Sequence, residues 1–488
     1  MTIDINDYED ELYYSFVDDN VKTASNKLTL PAIVEKYIDD CTKASNYNDV
    51  PAALSFYVML GQLCKDMIAI PSGQNVDDTR IQFLWMQTSG TGKSTLTNWY
   101  MPIIKRTFEV INDKHGTNFN IFDITDYTDA ALIGSFEKQQ EQIEDENGQI
   151  RTVNVDVPIP GQLEGSGLAI WDEFEYSGIF KQSQHKENAI VYLNTFMNTL
   201  WGETWVITKK LKLGDDPIEC KCKRSIYATT YIPKQLTAVI TEKGVLQRLL
   251  IFIYEVPQDQ QKLMRRRLIE DWGIIKDRTQ PKNTYAKNFV TLYDTLKERF
   301  DEVDGDPIKV MRITKEANDA LHRECYVMEQ YILNSRQEVF EAMETFVNRM
   351  LKHIQKMAIL CAVAEAPSIR DKSKRFIVTQ HHVLQASSLI RKCYKSLVSW
   401  LDEALRVEKR GMEQKANIGV FKSIYNDLKG KDGWVHKAKL LASVRAKTKK
   451  GQSTIYKWWQ KIEEYFEEET VNKSVYVRLK GEINYEEI

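Results

Sequence analysis

Long apolar runs are missing from this sequence. No stretch approaches the roughly 18 apolar residues that a membrane-spanning helix needs. The N-terminus is acidic, and no basic segment is followed by an apolar one, so the pattern of a secretory signal is also missing. We therefore expect a protein that neither crosses nor docks on a membrane.

Cysteine is scarce, and charge of one sign does not dominate. The seven cysteines are odd in number and scattered, which argues against a disulfide framework and predicts reduced thiols in a cytosol-like compartment. Cys220-x-Cys222 by itself is a weak indication of zinc. The net charge is −3, with 66 basic against 69 acidic residues. Any signal for nucleic acid must therefore be local.

The length of 488 residues is enough for two to four domains. Residues 1 to about 25 are acidic and aromatic, as in a frayed tail or a partner-docking peptide. We predict an acidic tail and helical N-terminal region (1–75), an α/β core (76–260), a helical domain (261–406), a hydrophilic linker (407–416) and a small C-terminal domain (417–488).

The core is organised around the segment Gln87–Thr95, with the sequence QTSGTGKST. It follows the apolar run 81–86 and precedes a helical pattern over 96–108, the order of a P-loop, or Walker A, nucleotide site. Glycine allows the backbone to approach a phosphate, and the helix N-terminus favours negative charge. Gln87 stands where the usual motif has its first glycine. We predict that ATP binds to Thr88, Ser89, Gly90, Thr91, Gly92, Lys93, Ser94 and Thr95.

Strands and helices alternate after this loop, which predicts an α/β fold with a parallel sheet. We predict a strand at 119–124, a helix at 129–142 and a hairpin or surface insertion within 141–161. A helix at 188–200 and strands at 167–171, 225–230 and 249–254 complete the core. From about residue 286 to 406 the helical spacing of apolar residues is continuous, and strand patterns are absent.

An apolar strand ends in two carboxylates at Asp172 and Glu173, the form of a Walker B segment. In P-loop enzymes, the strand beside the loop strand delivers an aspartate to the Mg²⁺ shell, and the glutamate activates water. We predict that Ser94 and Asp172 hold Mg²⁺ and that Glu173 is the catalytic base. Lys93 would contact the β- and γ-phosphates.

Two further polar positions are candidates for the reaction. Thr229 or Thr230, at the end of a predicted strand, would hydrogen-bond the water or the γ-phosphate, and Thr230 is the slightly preferred of the two. Arg248, before the last strand, is a candidate arginine finger acting on a neighbouring copy, with Arg224 as the second candidate. A finger that acts in trans requires an oligomer.

Basic residues cluster on a predicted hairpin at 204–223. They are Lys209, Lys210, Lys212, Lys221, Lys223 and Arg224, around the acidic turn 214–216. Such a ribbon is either a solvated surface element or a contact to a polymer, since lysine and arginine bind phosphates without reading sequence. We retain Lys209, Lys210 and Lys212 as candidate DNA contacts.

The C-terminal segment has the pattern of a winged helix. Helices are predicted at 418–428, 437–446 and 453–465, followed by two strands around Asn472-Lys473. No acidic residue occurs between Trp434 and Ile462, and Trp458 and Trp459 cannot both face the core. Nucleic acid and protein are both possible partners of such a domain. The candidate DNA contacts are Arg445, Lys447, Lys449, Lys450, Lys457 and Lys461.

Taken with these motifs, residues of about 48–400 resemble the RecA- or AAA-like P-loop ATPases of phages and mobile elements. They are also similar to superfamily 3 replicative helicases. The resemblance rests on 87–95, 168–173, Leu200-Trp201-Gly202-Glu203, 228–233 and 244–248. It implies a homo-oligomeric ring, expected to be a hexamer, in the cytoplasm of a bacterium or phage-infected host. The ring would use ATP and Mg²⁺ to move on single-stranded DNA in its pore, with duplex at the winged helix.

Two other functions stay open from the sequence. One is a switch or loader that uses ATP to place another protein on DNA. The other is a DNA-binding replication initiator with a vestigial ATPase, against which the intact Lys93, Asp172 and Glu173 argue. In each case the chain would need other replication proteins, because no primase, nuclease or polymerase motif is visible.

Overall fold

The structure is a computed structural model. It describes residues 29–45, 48–72, 75–123, 132–144, 150–174, 193–197, 200–203, 205–209, 218–232, 246–270, 272, 279–366, 375–430 and 432–480. The chain divides into two compact units, Met1–Leu401 and Asp402–Ile488. The boundary falls within a helix, Gln380–Leu428, and the predicted linker 407–416 is helical as part of it.

The first unit contains a sheet of five parallel strands, so the predicted parallel α/β core is confirmed. Their order is β10-β3-β9-β7-β4. An additional strand, β8, pairs antiparallel with the first part of β9. The strands of this sheet are β3 (Phe83–Gln87), β4 (Phe119–Asp123), β7 (Gly165–Trp171), β8 (Trp205–Lys209), β9 (Ile218–Thr230) and β10 (Leu250–Tyr254).

The parallel arrangement gives the sheet two distinct edges. The carboxyl edge is the one where the parallel strands end, and the amino edge is the one where they begin. In register, Gln87 lies opposite Tyr254, Trp85 opposite Thr229 and Trp171 opposite Ala228. Residues that follow β3, β7 and β9 therefore meet at the carboxyl edge, which is where ligands bind in sheets of this kind.

The order of strands corrects one expectation. The strand that ends at Asp172 was expected beside the loop strand β3, but β9 lies between them and pairs with both. The predicted hairpin strand at 218–223 and the predicted strand at 225–230 are also a single strand of 13 residues. The end of β9 consequently lies between the two motifs at the carboxyl edge.

Helices of the first unit surround this sheet and bury its faces. The first two lie in the predicted helical N-terminal region, and the second, Asp49–Cys64, is buried nearly all round because its residues are apolar on every side. Tyr37 packs edge-on against Phe56, Trp99 and Tyr285 and so joins four helices. The helices are α1 (Ala32–Ser45), α2 (Asp49–Cys64), α3 (Lys93–His115), α4 (Gln258–Glu270), α5 (Thr279–Glu302), α6 (Lys315–Leu333), α7 (Gln337–Glu365) and α8 (Gln380–Leu428).

Three small two-stranded sheets lie outside the main one. The prediction of a helix at 129–142 is wrong, because 134–144 is a strand that pairs antiparallel with 150–160. The predicted insertion is thus a hairpin, and its first strand starts earlier than expected. A short parallel pair within the helical region was not predicted. The strands are β1 (Ile70–Ser72) with β2 (Asn75–Asp77), β5 (Gly134–Glu144) with β6 (Ile150–Pro160), and β11 (Met311–Ile313) with β12 (Phe376–Val378).

The second unit contains the end of α8, two further helices and a three-stranded sheet of order β13-β15-β14. Its core includes Phe421, Leu440 and Trp459, while Trp458 is only partly buried against it. Asn472 and Lys473 have φ of 48° and 66°, as a two-residue hairpin turn requires. The elements are β13 (Val435–His436), α9 (Lys437–Thr448), α10 (Gln452–Ile462), β14 (Phe466–Val471) and β15 (Ser474–Leu479).

Candidate functional site

The loop between β3 and α3 forms a concave backbone at the carboxyl edge. Gly90 and Gly92 have φ of 69° and 94°, a left-handed conformation that a side chain would strain. Gly92 is the N-cap residue of α3, which begins at Lys93. The first backbone N–H groups of α3 have no partner within the helix, so they are donors for an anion at this place.

Gln87 shapes this loop through its side chain. It is buried, with 3% of its surface exposed. Its Nε2 donates to Thr91 Oγ1 at 2.8 Å and to the Thr91 carbonyl at 3.2 Å. Its Oε1 accepts a hydrogen bond of 3.1 Å from Trp85 Nε1. The residue that departs from the usual motif therefore ties the end of the strand to the far side of the loop.

Lys93 lies across the mouth of the loop. Its Nζ donates to the Gln87 carbonyl at 3.0 Å and to the Thr88 carbonyl at 3.4 Å. The side chain is half-buried, and its carbonyl partners belong to the loop itself. The ammonium group thus lies beside the end of β3, and Lys93 is the first residue of the helix whose N–H groups would bind a phosphate.

Asp172 connects the loop to two strands. Its Oδ2 accepts a hydrogen bond of 3.1 Å from Ser94 Oγ, at the start of α3. Its Oδ1 accepts a hydrogen bond from Thr229 Oγ1, at the end of β9. Hydroxyl and carboxylate oxygens are the ligands that Mg²⁺ prefers, and Ser94 is exposed to solvent. The oxygen donors predicted for a metal are brought together, and they fit Mg²⁺ in chemistry.

Thr229, rather than Thr230, reaches this group. Successive residues of a strand point to opposite faces, so the two threonines cannot both face Asp172. Both are buried, at 1% exposure, and it is Thr229 Oγ1 that donates to Asp172 Oδ1. The geometry thus favours the candidate that the sequence ranked second.

Glu173 follows Asp172 and has an unusual backbone. Its φ is 56°, which is rare for a residue with a side chain and costs about 1–3 kcal/mol where it occurs. The side chain is exposed. A strained turn directly after the strand therefore presents an exposed carboxylate next along the chain to Asp172.

The two arginine candidates are placed very differently. Arg224 is fully buried, at 0% exposure, and donates to the carbonyls of Leu163, Glu164 and Asn120. Its guanidinium also lies 4.1 Å from the centre of the Phe122 ring. A side chain held in this way cannot extend to a neighbouring copy, so the structure argues against Arg224 as a finger. Arg248 precedes β10 at the amino edge and is half-buried.

The predicted basic hairpin is only partly described. β8 and β9 pair antiparallel, as predicted, but Lys210 and Lys212 lie outside the described residues and only the backbone of Lys209 is described. Lys221 is exposed. Lys223 is buried, and its Nζ lies 2.8 Å from Asp66 Oδ1. The basic cluster expected there thus loses Lys223 and Arg224 to the interior of the unit.

The second unit carries a basic surface on α9, α10 and the turn between them. Arg445, Lys449, Lys450 and Tyr456 line a groove where these helices meet. Strand β14 is acidic, and two of its glutamates pair with Lys437 and Arg478, at 2.6 Å and 2.5 Å. All six cations predicted as DNA contacts in this unit are exposed: Arg445, Lys447, Lys449, Lys450, Lys457 and Lys461.

The cysteine pair does not form a metal site in the structure. Burial raises the pKa of Cys220 to about 12 and of Cys222 to about 11. Among the described residues, no group of three or more His, Cys, Asp or Glu side chains is placed to hold a metal ion. Likewise, none of the described helices combines the length and apolar character that crossing a bilayer requires.

Two residues near these sites were missed from the sequence. Gln87 was identified only as a departure from the motif. A glutamine at the end of an apolar strand is expected to be buried, and a buried side-chain amide needs a polar partner, which was the available signal. Arg349, on α7, lies in a cavity with Arg248 and gave no local sequence signal.

No family model matches the chain, and no curated protein matches it either.

Proposed function

We propose that the chain binds and hydrolyses ATP at the carboxyl edge of its sheet. The observation that carries the proposal is the convergence of three separate elements: Ser94 after the loop, Asp172 after β7 and Thr229 at the end of β9. Because this arrangement requires the strand order observed, it is more specific than either motif alone. We accordingly interpret the core as a P-loop NTPase core.

Each residue has a definite task in this proposal. Loop N–H groups and Lys93 bind the phosphates, with Lys93 Nζ moving from the carbonyls of the loop onto them. Ser94 and Asp172 would hold Mg²⁺, and Thr229 fixes the rotamer of Asp172. Bound ATP·Mg²⁺ supplies the phosphoryl group and the charge that activates it. Glu173 accepts the proton of the attacking water.

We further propose that ATP hydrolysis moves the protein on nucleic acid, as a ring-forming replicative helicase of a phage or mobile element in a cytoplasmic compartment. Arg248 would act on the nucleotide of a neighbouring copy, which requires a homo-oligomer such as a hexamer. Of the basic residues predicted on the hairpin, Lys221 on β9 is described as exposed, which leaves it accessible to a nucleic acid. Other replication proteins would complete the machinery.

The second unit supports this proposal through its topology and charge. A helix, a short strand, two helices and a hairpin, closed by the sheet β13-β15-β14, are typical of a winged helix. The six candidate cations lie on α9, on α10 and in the turn between them, while β14 carries Glu467, Glu468 and Glu469. We therefore expect phosphate contacts at the helices rather than at β14.

The decisive experiment combines ATP binding, ATP hydrolysis and unwinding of a forked DNA duplex by the full chain. Lys93→Ala should abolish all three, whereas Lys105→Ala, an exposed lysine on the same helix, should change none of them. Hydrolysis without unwinding would instead support the loader. Folded protein that neither binds nor hydrolyses ATP, with or without DNA, would refute the proposal.

The nucleic-acid surface has its own test. Each lysine that contacts a phosphate contributes about 0.9 to the slope of log K against log salt. The double variant Lys449→Ala, Lys450→Ala should therefore lower the slope for duplex DNA by about 2. Lys473→Ala, on the turn beside acidic β14, is the matched control and should have a smaller effect. Equal slopes for the double variant and the wild type would remove the turn between α9 and α10 from the interface.

A further inference from the structure

A second concave site lies at the amino edge of the sheet. It is a cavity of about 410 Å³ lined by β2, the segment before β3, the turn Leu246–Arg248 and α7. Gln82 immediately precedes β3, and Arg248 lies two residues before β10. Both strands have five residues at about 3.3 Å each, so roughly 15 Å separates this cavity from the loop of the same chain.

Cations outnumber carboxylates in the lining of this cavity. Asp77 and Asp78 are already engaged, since Lys352 Nζ lies 2.8 Å from Asp77 and Arg80 Nε lies 2.6 Å from Asp78. Asp78 also has Lys356 at 3.8 Å. The charged residues of the lining are Arg80, Arg248, Arg349, Lys352 and Lys356 against Asp77, Asp78 and Glu203.

Two arginines from different elements line this cavity. Arg248 and Arg349 are both half-buried, and Arg248 Nη1 donates to Asn194 Oδ1 at 3.1 Å. Burial, and then the positive charge of Arg349, lowers the pKa of Arg248. Two guanidinium groups that repel each other in a partly desolvated cavity gain free energy when an anion binds between them.

The neighbouring histidine does not add to this repulsion. Burial and the charges of Lys356 and Arg349 lower the pKa of His353 to about 3, so it is neutral near pH 7. The positive charge that a ligand would meet at neutral pH is therefore that of the arginines and lysines.

We propose that this cavity is a second anion site in which Arg248 and Arg349 together bind a phosphate group. The planar fork of arginine matches the oxygens of phosphate, and two forks from separate elements define one tetrahedral position. The ligand is a polyphosphate, either free in solution or the terminal part of a nucleotide held by a second copy of this chain. Both present the same oxyanion to the two arginines.

The first arm of the test excludes the loop by using full-length Lys93→Ala protein. Inorganic tripolyphosphate is titrated into it by calorimetry, and binding should remain. Adding Arg349→Ala should weaken this binding tenfold or more, and Arg248→Ala should do the same. Lys287→Ala, an exposed lysine on α5, should leave it unchanged.

The proposal is overturned if Lys93→Ala protein does not bind tripolyphosphate, or if neither arginine variant weakens the binding. Arg349→Gln, which keeps the length of the side chain, replaces Arg349→Ala if the latter does not fold. This arm does not depend on ATP hydrolysis, so its failure would leave the proposed ATPase intact. In the same way, a protein without ATPase activity could still bind tripolyphosphate in this cavity.

The second arm identifies the source of the phosphate, and it rests on the proposed function. Arg349→Ala and Glu173→Gln proteins are mixed and ATP turnover is measured. If the phosphate belongs to a second copy, each variant alone should turn over ATP slowly. The mixture should regain turnover at sites where the Arg349→Ala copy supplies Glu173 and the Glu173→Gln copy supplies Arg349. Unchanged turnover of Arg349→Ala alone, with tripolyphosphate binding lost, assigns the site to free polyphosphate. Unchanged turnover together with unchanged tripolyphosphate binding overturns the proposal.

Discussion

The two edges of the five-stranded sheet carry similar residue types and use them differently. At the amino edge, Arg80, Lys223 and Arg224 are buried, and their charged groups meet aspartates or backbone carbonyls of their own unit. At the carboxyl edge, Lys93 is half-buried and Glu173 is exposed, around a concave loop. Buried charges with internal partners hold the sheet together, whereas half-buried or exposed charges beside an opening, as at Lys93 and Glu173 and in the amino-edge cavity, can meet a ligand.

This difference separates stability from activity within one element. Strand β9 has Arg224 near its middle, bonded to three carbonyls, and Thr229 near its end, bonded to Asp172. A substitution at the first position should weaken the fold, and one at the second should weaken the reaction. Each variant below tests whether internally paired side chains and side chains beside an opening divide the work in this way.

The largest expected effect is that of Glu173→Gln on ATP turnover. An amide cannot accept the proton of water, so turnover should fall by about 10²–10⁴-fold, while ATP affinity and the unfolding midpoint stay close to wild type. Glu255→Gln is the matched control, because Glu255 is an exposed carboxylate that follows β10 at the same edge. Wild-type turnover of Glu173→Gln would contradict the role assigned to this residue.

Arg224→Ala should show the opposite profile. Three backbone carbonyls would lose their donor in the interior, so the free energy of unfolding should fall by about 3 kcal/mol or more. Urea denaturation followed by tryptophan fluorescence measures this change. Lys221→Ala, on the same strand but exposed, should stay within about 0.5 kcal/mol of wild type. A stable Arg224→Ala protein that lost turnover would reverse the assignment of the two edges.

Sequence reasoning succeeded where the residues of a feature are contiguous. The strand, loop and helix around Lys93 and the strand that ends at Asp172 lie where they were predicted, because each is specified by its own apolar run and its glycines. The hairpin turn at Asn472-Lys473 is also local. Features of this kind depend on neighbours along the chain and are visible in it.

The failures concern features that depend on distant partners. Residues 134–144 include the helix-forming run Glu137–Gln142, yet they form a strand because they pair with 150–160 along their whole length. Arg224 was expected on a surface hairpin, either solvated or in contact with a polymer, since nothing nearby shows that β9 lies between β3 and β7. Burial in a central strand is set by the order of strands, which local spacing does not encode.

A pair of buried glutamines, one at each edge, gives a finer comparison. Gln87→Ala should weaken ATP binding about tenfold, or about 1.4 kcal/mol, because the loop loses its bonds to Thr91. Gln82, at the amino edge, accepts from Ile226 N at 2.6 Å and donates to the Arg224 carbonyl at 3.2 Å. Gln82→Ala should therefore lower stability and leave ATP affinity unchanged. Equal losses of affinity in both variants would show that Gln87 acts only through the fold.

The smallest expected effect is a pH dependence that belongs to the amino edge. The pKa of His353 is about 3 in the folded protein and near 6.5 when unfolded, so the unfolded state binds the proton more tightly. The contribution of this group to the free energy of unfolding is fully present above pH 7 and is lost as the pH falls below 6.5. It should amount to about 1 kcal/mol between pH 7 and pH 5, after allowance for partial exposure of the ring.

His353→Gln should remove this part of the pH slope in urea denaturation, whereas Glu173→Gln should keep it. If the free energy of unfolding of His353→Gln depends on pH as that of the wild type does, burial among the cations does not keep this histidine neutral. The amino edge would then have no pH dependence of its own.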